Sequence, residues 1–440
     1  LALMPVWQWC AARLRDGSDD PLGVIALLAL LVIVVRDRAQ FAQRPRPLWL
    51  LSAMALTALA VLGNATLPAL LRGVLAILAL SCMLMALRAA TRPMLALVGL
   101  GILALPLLSS LQFFAGYPLR VLTAEGSAWL LGLAGHEVMR SGSALVVAGQ
   151  LVMVDAPCSG IQMGWMAYFT ACSAAAWLRM DDARFIRRLP FVGLVVLMGN
   201  ILRNSLLVMK EAGLLNWPDW THEAVGAAAF AVVCAAVLRL IVPRAQAIML
   251  TQQLPLPLPE GHSTASESGL RALALALFVG LTAWPYTQPA VNAGEAQGIS
   301  MEWPLQYEGR RLRPLALSAV EQRFADRFPG AIGRFHDGQA TIVLRQVNSP
   351  TRMLHPASDC FRGLGYRISQ DRFVRYRQGA QPALLRRCFV ADKDGLRLQV
   401  CEHIVDAAGS GYTDTSSWYW AAFTGQSQGP WQAVTRARPI

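Results

Sequence analysis

Residues 189–209 read LPFVGLVVLMGNILRNSLLVM, an apolar run long enough to cross a bilayer and interrupted near its far end by Asn200, Arg203 and Asn204. A crossing needs roughly 20 apolar residues at about 1.5 Å each, and this stretch supplies them. Similar runs crowd the sequence between residues 20 and 290. The chain of 440 residues is 55% hydrophobic and only 15% charged, with a mean hydropathy of +0.41. That composition excludes an ordinary soluble enzyme.

Apolar runs between charge clusters predict about eight transmembrane helices, near 21–35, 48–63, 70–87, 94–114, 158–178, 189–209, 223–242 and 269–286. The fold class expected is therefore a polytopic α-helical membrane protein with a C-terminal soluble α+β domain. Its parts are an N-terminal segment (1–20), a transmembrane domain (21–250), a Pro- and Ser-rich cytoplasmic linker (251–268), a last transmembrane helix (269–290) and an extracytoplasmic tail (291–440). Residues 1–19 carry Arg13, Arg15, Asp16 and Asp19 and are too amphipathic and charged for a signal peptide.

Lys and Arg total 39 against 27 Asp and Glu, for a net charge of +12. No basic helix or zinc-finger spacing points to nucleic acid, so the excess reads as topology and contact with acidic lipid headgroups. Arginines gather at 36–46, 88–92, 179–188 and 239–271, in loops that alternate with poorer ones. The positive-inside rule makes those loops cytoplasmic. The loops 64–69, 115–157 and 210–222 then face outward, with the tail. Within 115–157, Gly116–Ala134 reads as an amphipathic or partly inserted helix. The stretch Glu137–Val154 reads as short strands turning at Ser141-Gly142-Ser143 and Ala148-Gly149.

Three reactive side chains fall at the outer ends of neighbouring spans. Cys158 stands in Asp155-Ala156-Pro157-Cys158-Ser159-Gly160, where Asp155 suits an N-cap and Pro157 an early helical position. A thiol in a first helical turn is favoured as thiolate by the helix dipole. The plain alternative is an inert packing thiol, the role expected of Cys82, Cys172 and Cys234. Arg203 lies inside its span, where a charge costs about 2.5–3.5 kcal/mol even on insertion scales, with Asn200 on the same face; the alternative is a snorkelling anchor. His222 opens the next span and has the near-neutral titration suited to a general acid or base; the alternative is an ordinary interfacial histidine. Together they supply a nucleophile, a fixed cation and a proton carrier, the parts of a cysteine peptidase.

The order Pro157-Cys158-Ser159-Gly160, then Asn200, Arg203 and Asn204, then His222-Glu223-Ala224-Val225-Gly226 with Phe230 resembles the exosortase/archaeosortase family over roughly residues 20–245. The resemblance implies an inner-membrane cysteine protease/transpeptidase, a hydrolase of protein sorting. Its catalytic residues fall on Cys158, Arg203 and His222, with Asn200, Asn204 and Ser159 in support. The partners implied are membrane-anchored proteins ending in a PEP-CTERM-type tripartite signal, namely a Pro-Glu-Pro-like motif, a membrane helix and an Arg cluster. Cleavage would pass through a thioester at the periplasmic face; release by water makes a protease, release by an amine a transpeptidase. A reading of another class is a non-catalytic membrane component of exopolysaccharide assembly or export. A transporter has less support, since no inverted repeat is evident.

The tail from about 297 carries Arg352-Met353-Leu354-His355-Pro356, Cys360-Phe361 and Gly363-Leu364-Gly365-Tyr366, and resembles the exosortase-associated exopolysaccharide-locus protein. Stretches such as Ala340–Gln346 and Leu384–Val390 read as strands. Cys388 and Cys401 flank the turn Asp392-Lys393-Asp394-Gly395 and could face each other as a disulfide in an oxidising compartment. His355 and Cys360 invite a second cysteine-site reading. No cofactor is implied, and no metal, because Cys360, Cys401, His355 and His403 match no closed zinc spacing.

Overall fold

The computed structural model describes residues 2–15, 21–38, 46–64, 67–88, 93–154, 156–218, 220–242, 303–326, 328–376 and 384–440. The linker expected at 251–268 and the span expected at 269–290 lie outside the described residues. The described chain falls into two bodies, a helical one up to residue 242 and a sheet-rich one from 303.

The helical body comprises α1 (Met4–Arg15), α2 (Leu22–Arg36), α3 (Pro47–Leu62), α4 (Ala69–Ala86), α5 (Leu95–Leu103), α6 (Leu108–Leu133), α7 (Ile161–Trp177), α8 (Asp182–Glu211) and α9 (Thr221–Ile241). Among the described residues, α4, α8 and α9 are long and apolar enough to cross a bilayer, and α5 with α6 makes a fourth, broken span bent by 95°. One of the eight expected spans, 269–286, lies outside the described residues; among the described residues the other seven are corrected to three or four. Two physical reasons account for the difference. Helices α2, α3 and α7 have only 15, 16 and 17 residues, short of the roughly 20 a crossing needs. The run at 94–114 is not one helix either, because Pro106 lacks an N–H and disfavours helical backbone at Leu105, so the chain breaks there. Beyond the break α6 continues to Leu133, absorbing the first part of what the sequence suggested was an outer loop.

The arginine-rich connections meet at one end of the bundle. The buried Asp37 carboxylate, at the end of α2, accepts hydrogen bonds from Arg36 at 3.1 Å and Arg179 at 2.7 Å, with Arg88 at 4.0 Å. Asp182, opening α8, accepts from the backbone N–H groups of Met94 and Leu95 at 3.0 and 2.9 Å. Arg188 donates to the Leu240 and Ile241 carbonyls at 2.6 and 3.0 Å. A buried carboxylate of this kind is held by its cationic partners. The start of α7, the end of α8 and the start of α9 therefore share the opposite end.

At that opposite end sits a three-stranded antiparallel meander of β1 (Val138–Ser141), β2 (Ala144–Val147) and β3 (Gln150–Met153). Its turns use Gly142 at φ 61° and the Ala148-Gly149 pair at φ 50° and 74°, the positive-φ geometry of tight hairpins. Leu145, Val147 and Val152 bury against Ala124 and Leu131 of α6 and Val208 of α8.

In the second body β6 (Arg313–Leu315), β7 (Gly330–His336), β8 (Thr341–Val347), β9 (Arg367–Tyr376), β10 (Leu384–Lys393), β11 (Leu396–Val405), β12 (Gly411–Tyr412) and β13 (Trp431–Pro439) form an antiparallel sheet in the order β6-β7-β8-β13-β11-β10-β9, with β12 on β11. A separate hairpin pairs β4 (Gln306–Tyr307) with β5 (Arg310–Arg311). Three short helices join it, α10 (Ala319–Ala325), α11 (Ala357–Gly363) and α12 (Thr415–Phe423). The β10–β11 turn sets Cys388 opposite Cys401 in register, and the two are joined as a disulfide. Cys401 is thereby withdrawn from the metal-ligand grouping weighed above.

Burial pushes His403 of β11 down to about 3, with the Arg386 cation adding to the effect. An imidazole at about 3 when folded and near 6.5 when unfolded takes its proton first in the unfolded chain. The tail domain should therefore lose stability as pH falls from about 6.5 towards 3. The protection factors of the β11 amides, referenced to the intrinsic exchange rate at each pH, should fall across that range, and His403→Leu should flatten the fall. An unchanged acid slope in the variant would assign the loss elsewhere.

Candidate active site

Cys158 lies one step earlier than the sequence suggested. The residues Ala156–Ser159 form a short 3₁₀ turn, Gly160 caps the next helix at φ 78°, and α7 starts only at Ile161. The thiol thus precedes the helix instead of occupying its first turn, and Asp155, the expected cap, lies outside the described residues. Ser159 takes part of the capping role, its hydroxyl accepting from Ile161 N–H at 3.4 Å while donating to Gln112 Oε1 at 3.1 Å. Cys158 itself is half-buried and packs against the cluster that includes Leu131, Leu145 and Val208.

Asn200 ties this turn to α8. Its Nδ2 donates to the Cys158 carbonyl at 2.9 Å and to Thr123 Oγ1 at 3.0 Å. Asn204, one turn on, donates to Ser127 Oγ at 2.9 Å. The two pairs share one offset in sequence, so α6 and α8 run parallel here. Gly160 is required at the junction, since a Cβ there would fall 2.9 Å from the Asn200 side chain in a backbone conformation that L side chains rarely adopt. We expect Gly160→Ala to displace Asn200 and lower turnover at least about tenfold, on top of roughly 1–2 kcal/mol of backbone strain. Turnover at the wild-type level would show that the Asn200 link is dispensable.

Arg203 projects from the same face of α8 and lies against Gly226 of α9, where an added Cβ would be 3.5 Å from its Nε. It sits about 12 Å below the Glu211 end of α8, at about 1.5 Å per residue. Among the described residues, two buried polar atoms on this face have no hydrogen-bond partner, Arg203 Nε and Asn200 Oδ1. Leaving a buried donor and acceptor unpaired costs about 1–3 kcal/mol each, and such orphans call for an explanation. A donor and an acceptor one turn apart beside a cysteine could pair with a peptide bond laid across them.

His222 opens α9 one turn before Gly226. Its Nδ1 is 3.8 Å from Glu211 Oε1, both side chains being about half exposed. Antiparallel α8 and α9 thus match Gly199 with Val233, Arg203 with Gly226 and Glu211 with His222. The structure links Cys158 to α8 and Arg203 to α9. His222 sits nearer the rim than either, beside Glu211.

Sequence reasoning missed the contribution of α6. Gln112, Gly116, Arg120, Thr123 and Ser127 recur at helical spacing and form a polar stripe facing the cysteine turn and α8. Arg120 is buried, donating from Nε to the Gly116 carbonyl at 3.3 Å. The signal was present as a period of three to four polar residues, but it was split between a supposed span and a supposed loop. Glu211 was also missed, one residue from a helix end where nothing in its neighbours marks it.

Among the described residues no group of three or more His, Cys, Asp or Glu side chains is placed to hold a metal ion. No curated protein and no solved structure matches the chain significantly. A family model described as transmembrane exosortase (Exosortase_EpsH) matches residues 14–239, just over half of the chain and the whole of the helical body from the end of α1 almost to the end of α9. With the cysteine turn, the polar face of α8 and the start of α9 all inside that match, the chain belongs to the transmembrane exosortase family.

Proposed function

We propose that this chain is an integral-membrane cysteine transpeptidase or protease that removes a C-terminal sorting signal from exported proteins. The observation that carries the reading is the pairing of Cys158 with α8 through Asn200, one turn from an Arg203 whose buried Nε–H has no partner among the described residues. The Cys158 thiolate attacks the scissile carbonyl carbon, and the carbonyl electron pair moves to oxygen. Arg203 donates to that oxyanion. The tetrahedral species collapses, the C–N bond breaks, and the amine leaves with a proton from the His222 imidazolium. The thioester left on Cys158 is released by water or by a second amine, with His222 taking the proton of the attacking group. Asn204 and Ser159 hold α6 and the cysteine turn in register.

The substrate implied by the family likeness is a membrane-anchored protein with a Pro-Glu-Pro-like motif, an apolar helix and a terminal Arg cluster. Its helix would lie beside the bundle with its arginines at the cytoplasmic end, presenting the motif at the periplasmic rim of the inner membrane. The arginine-rich loops gathered around Asp37 support that orientation by the positive-inside rule. The tail, by its likeness to the exopolysaccharide-locus protein, would then also be periplasmic, where the Cys388–Cys401 disulfide is stable. Co-expression with a model protein bearing this tripartite tail should give a shortened product. A control tail with the motif scrambled should remain whole, and equal processing of both would remove the assigned specificity.

A further inference from the structure

The tail domain holds a second thiol–imidazole pair that the membrane site does not use. Cys360, on α11, has its sulfur 3.0 Å from His355 Nε2. The opposite ring nitrogen, Nδ1, is 3.0 Å from the Met353 carbonyl oxygen. A carbonyl only accepts, so Nδ1 carries the proton and Nε2 presents its lone pair to the thiol. The ring is held edge-on by Phe324, centroids 5.1 Å apart. This is the geometry of a nucleophile, a base and a group that orients the base.

The surroundings add what acyl chemistry needs. Cys360 is exposed at the surface, and packing around the sulfur pushes its pKa up while the Arg345 cation pulls it down. The thiol faces the Nε2 lone pair at hydrogen-bond distance. A cleft of about 10 Å³, roughly one water, on the His355 side of the pair is lined by Arg345, His355, Glu402, Thr413, Asp414 and Thr415. Arg345 is buried, donates to the His355 carbonyl at 2.9 Å, and keeps an Nε–H with no partner. Glu402 accepts from Ala357 N–H at 2.6 Å at the start of α11. Cys388 and Cys401 are already bonded to each other, so Cys360 has no disulfide partner among them.

We propose that Cys360 and His355 form a second catalytic site, an acyl-transfer centre taking a small polar acyl group from an ester or thioester. As Sγ bonds to the acyl carbon, the S–H proton passes to His355 Nε2 and the carbonyl electron pair moves to oxygen. Collapse expels the alkoxide or thiolate, which leaves with the proton from His355. A thioester remains on Cys360, and water, deprotonated by the same imidazole, hydrolyses it to a carboxylic acid and regenerates the thiol. No oxidant or metal takes part.

The test uses full-length protein in detergent micelles carrying Cys158→Ala, so that the membrane site contributes nothing. The probe is p-nitrophenyl acetate, followed by nitrophenolate release and by peptide mass. At pH 7 the peptide bearing Cys360 should gain an acetyl group at least tenfold faster than glutathione does. The adduct should turn over, and Cys360→Ala should abolish it. The His355→Gln variant should fall to the glutathione rate while retaining the Cys388–Cys401 disulfide. A Cys360 that reacts no faster than glutathione, or a His355→Gln variant that reacts at the wild-type rate, overturns the proposal. The first comparison needs no variant at either residue of the pair, and neither result depends on whether the membrane site processes a sorting signal.

Discussion

Replacing Cys158 by Ala should reduce processing of a tripartite-tail substrate to background, a loss of at least about 10³-fold, the scale seen when a nucleophile is removed from a site that works as a unit. The fold should survive. Cys158 is half-buried in a turn whose backbone carbonyl accepts from Asn200, a bond that does not involve the sulfur. Cys158→Ser should also fail, because a hydroxyl in this turn is a far weaker nucleophile than a thiolate. Processing by the alanine variant would remove Cys158 from the chemistry. A thiol reagent that does not cross membranes, applied from the side to which the proposal assigns the site, gives a parallel check, since Cys158 should react while the buried Cys172 should not.

The second large effect is expected at Arg203. Removing one donor to a developing oxyanion costs about 10²–10³ in turnover, and Arg203→Ala should show a loss of that size. Arg203→Lys keeps the charge but loses the planar fork and its Nε–H, so it should retain more activity than the alanine. Stability should move the other way. The buried Nε has no partner among the described residues, and taking a charge out of a membrane helix relieves about 2.5–3.5 kcal/mol. A variant that melts no lower than wild type yet processes nothing identifies a residue retained for chemistry. Full activity in both variants would assign Arg203 to anchoring.

Several parts of this architecture were legible in the amino-acid order because their cause is local. The run at 189–209 is a membrane helix by composition alone, and Asn200, Arg203 and Asn204 share its face by helical periodicity. Gly142 and Ala148-Gly149 announce the two turns of the meander, and Asp394-Gly395, at φ 52° and 82°, sets the register that brings Cys388 to Cys401. What escaped depends on tertiary context. The start of α7 is decided by Gly160, whose left-handed backbone is stabilised by the close approach of Asn200 from a helix 40 residues away. The polar stripe of α6 becomes visible only once Pro106 has broken the preceding run and α8 has been laid parallel to it. The number of crossings failed for a related reason, since apolar runs of 15–17 residues satisfy a hydropathy reading without being long enough to span. Glu211 beside His222 is a contact between two helix ends and leaves no trace in either helix's own pattern.

The most direct test is to trap the acyl-enzyme. Purified protein in lipid nanodiscs is mixed with a substrate carrying the tripartite tail, quenched in acid and digested for peptide mass. The account predicts the substrate's N-terminal portion joined to the peptide that contains Cys158, through a bond that hydroxylamine cleaves. A shortened product released while the Cys158 peptide stays unmodified at every time point, or a hydroxylamine-labile adduct on a different side chain, would contradict it.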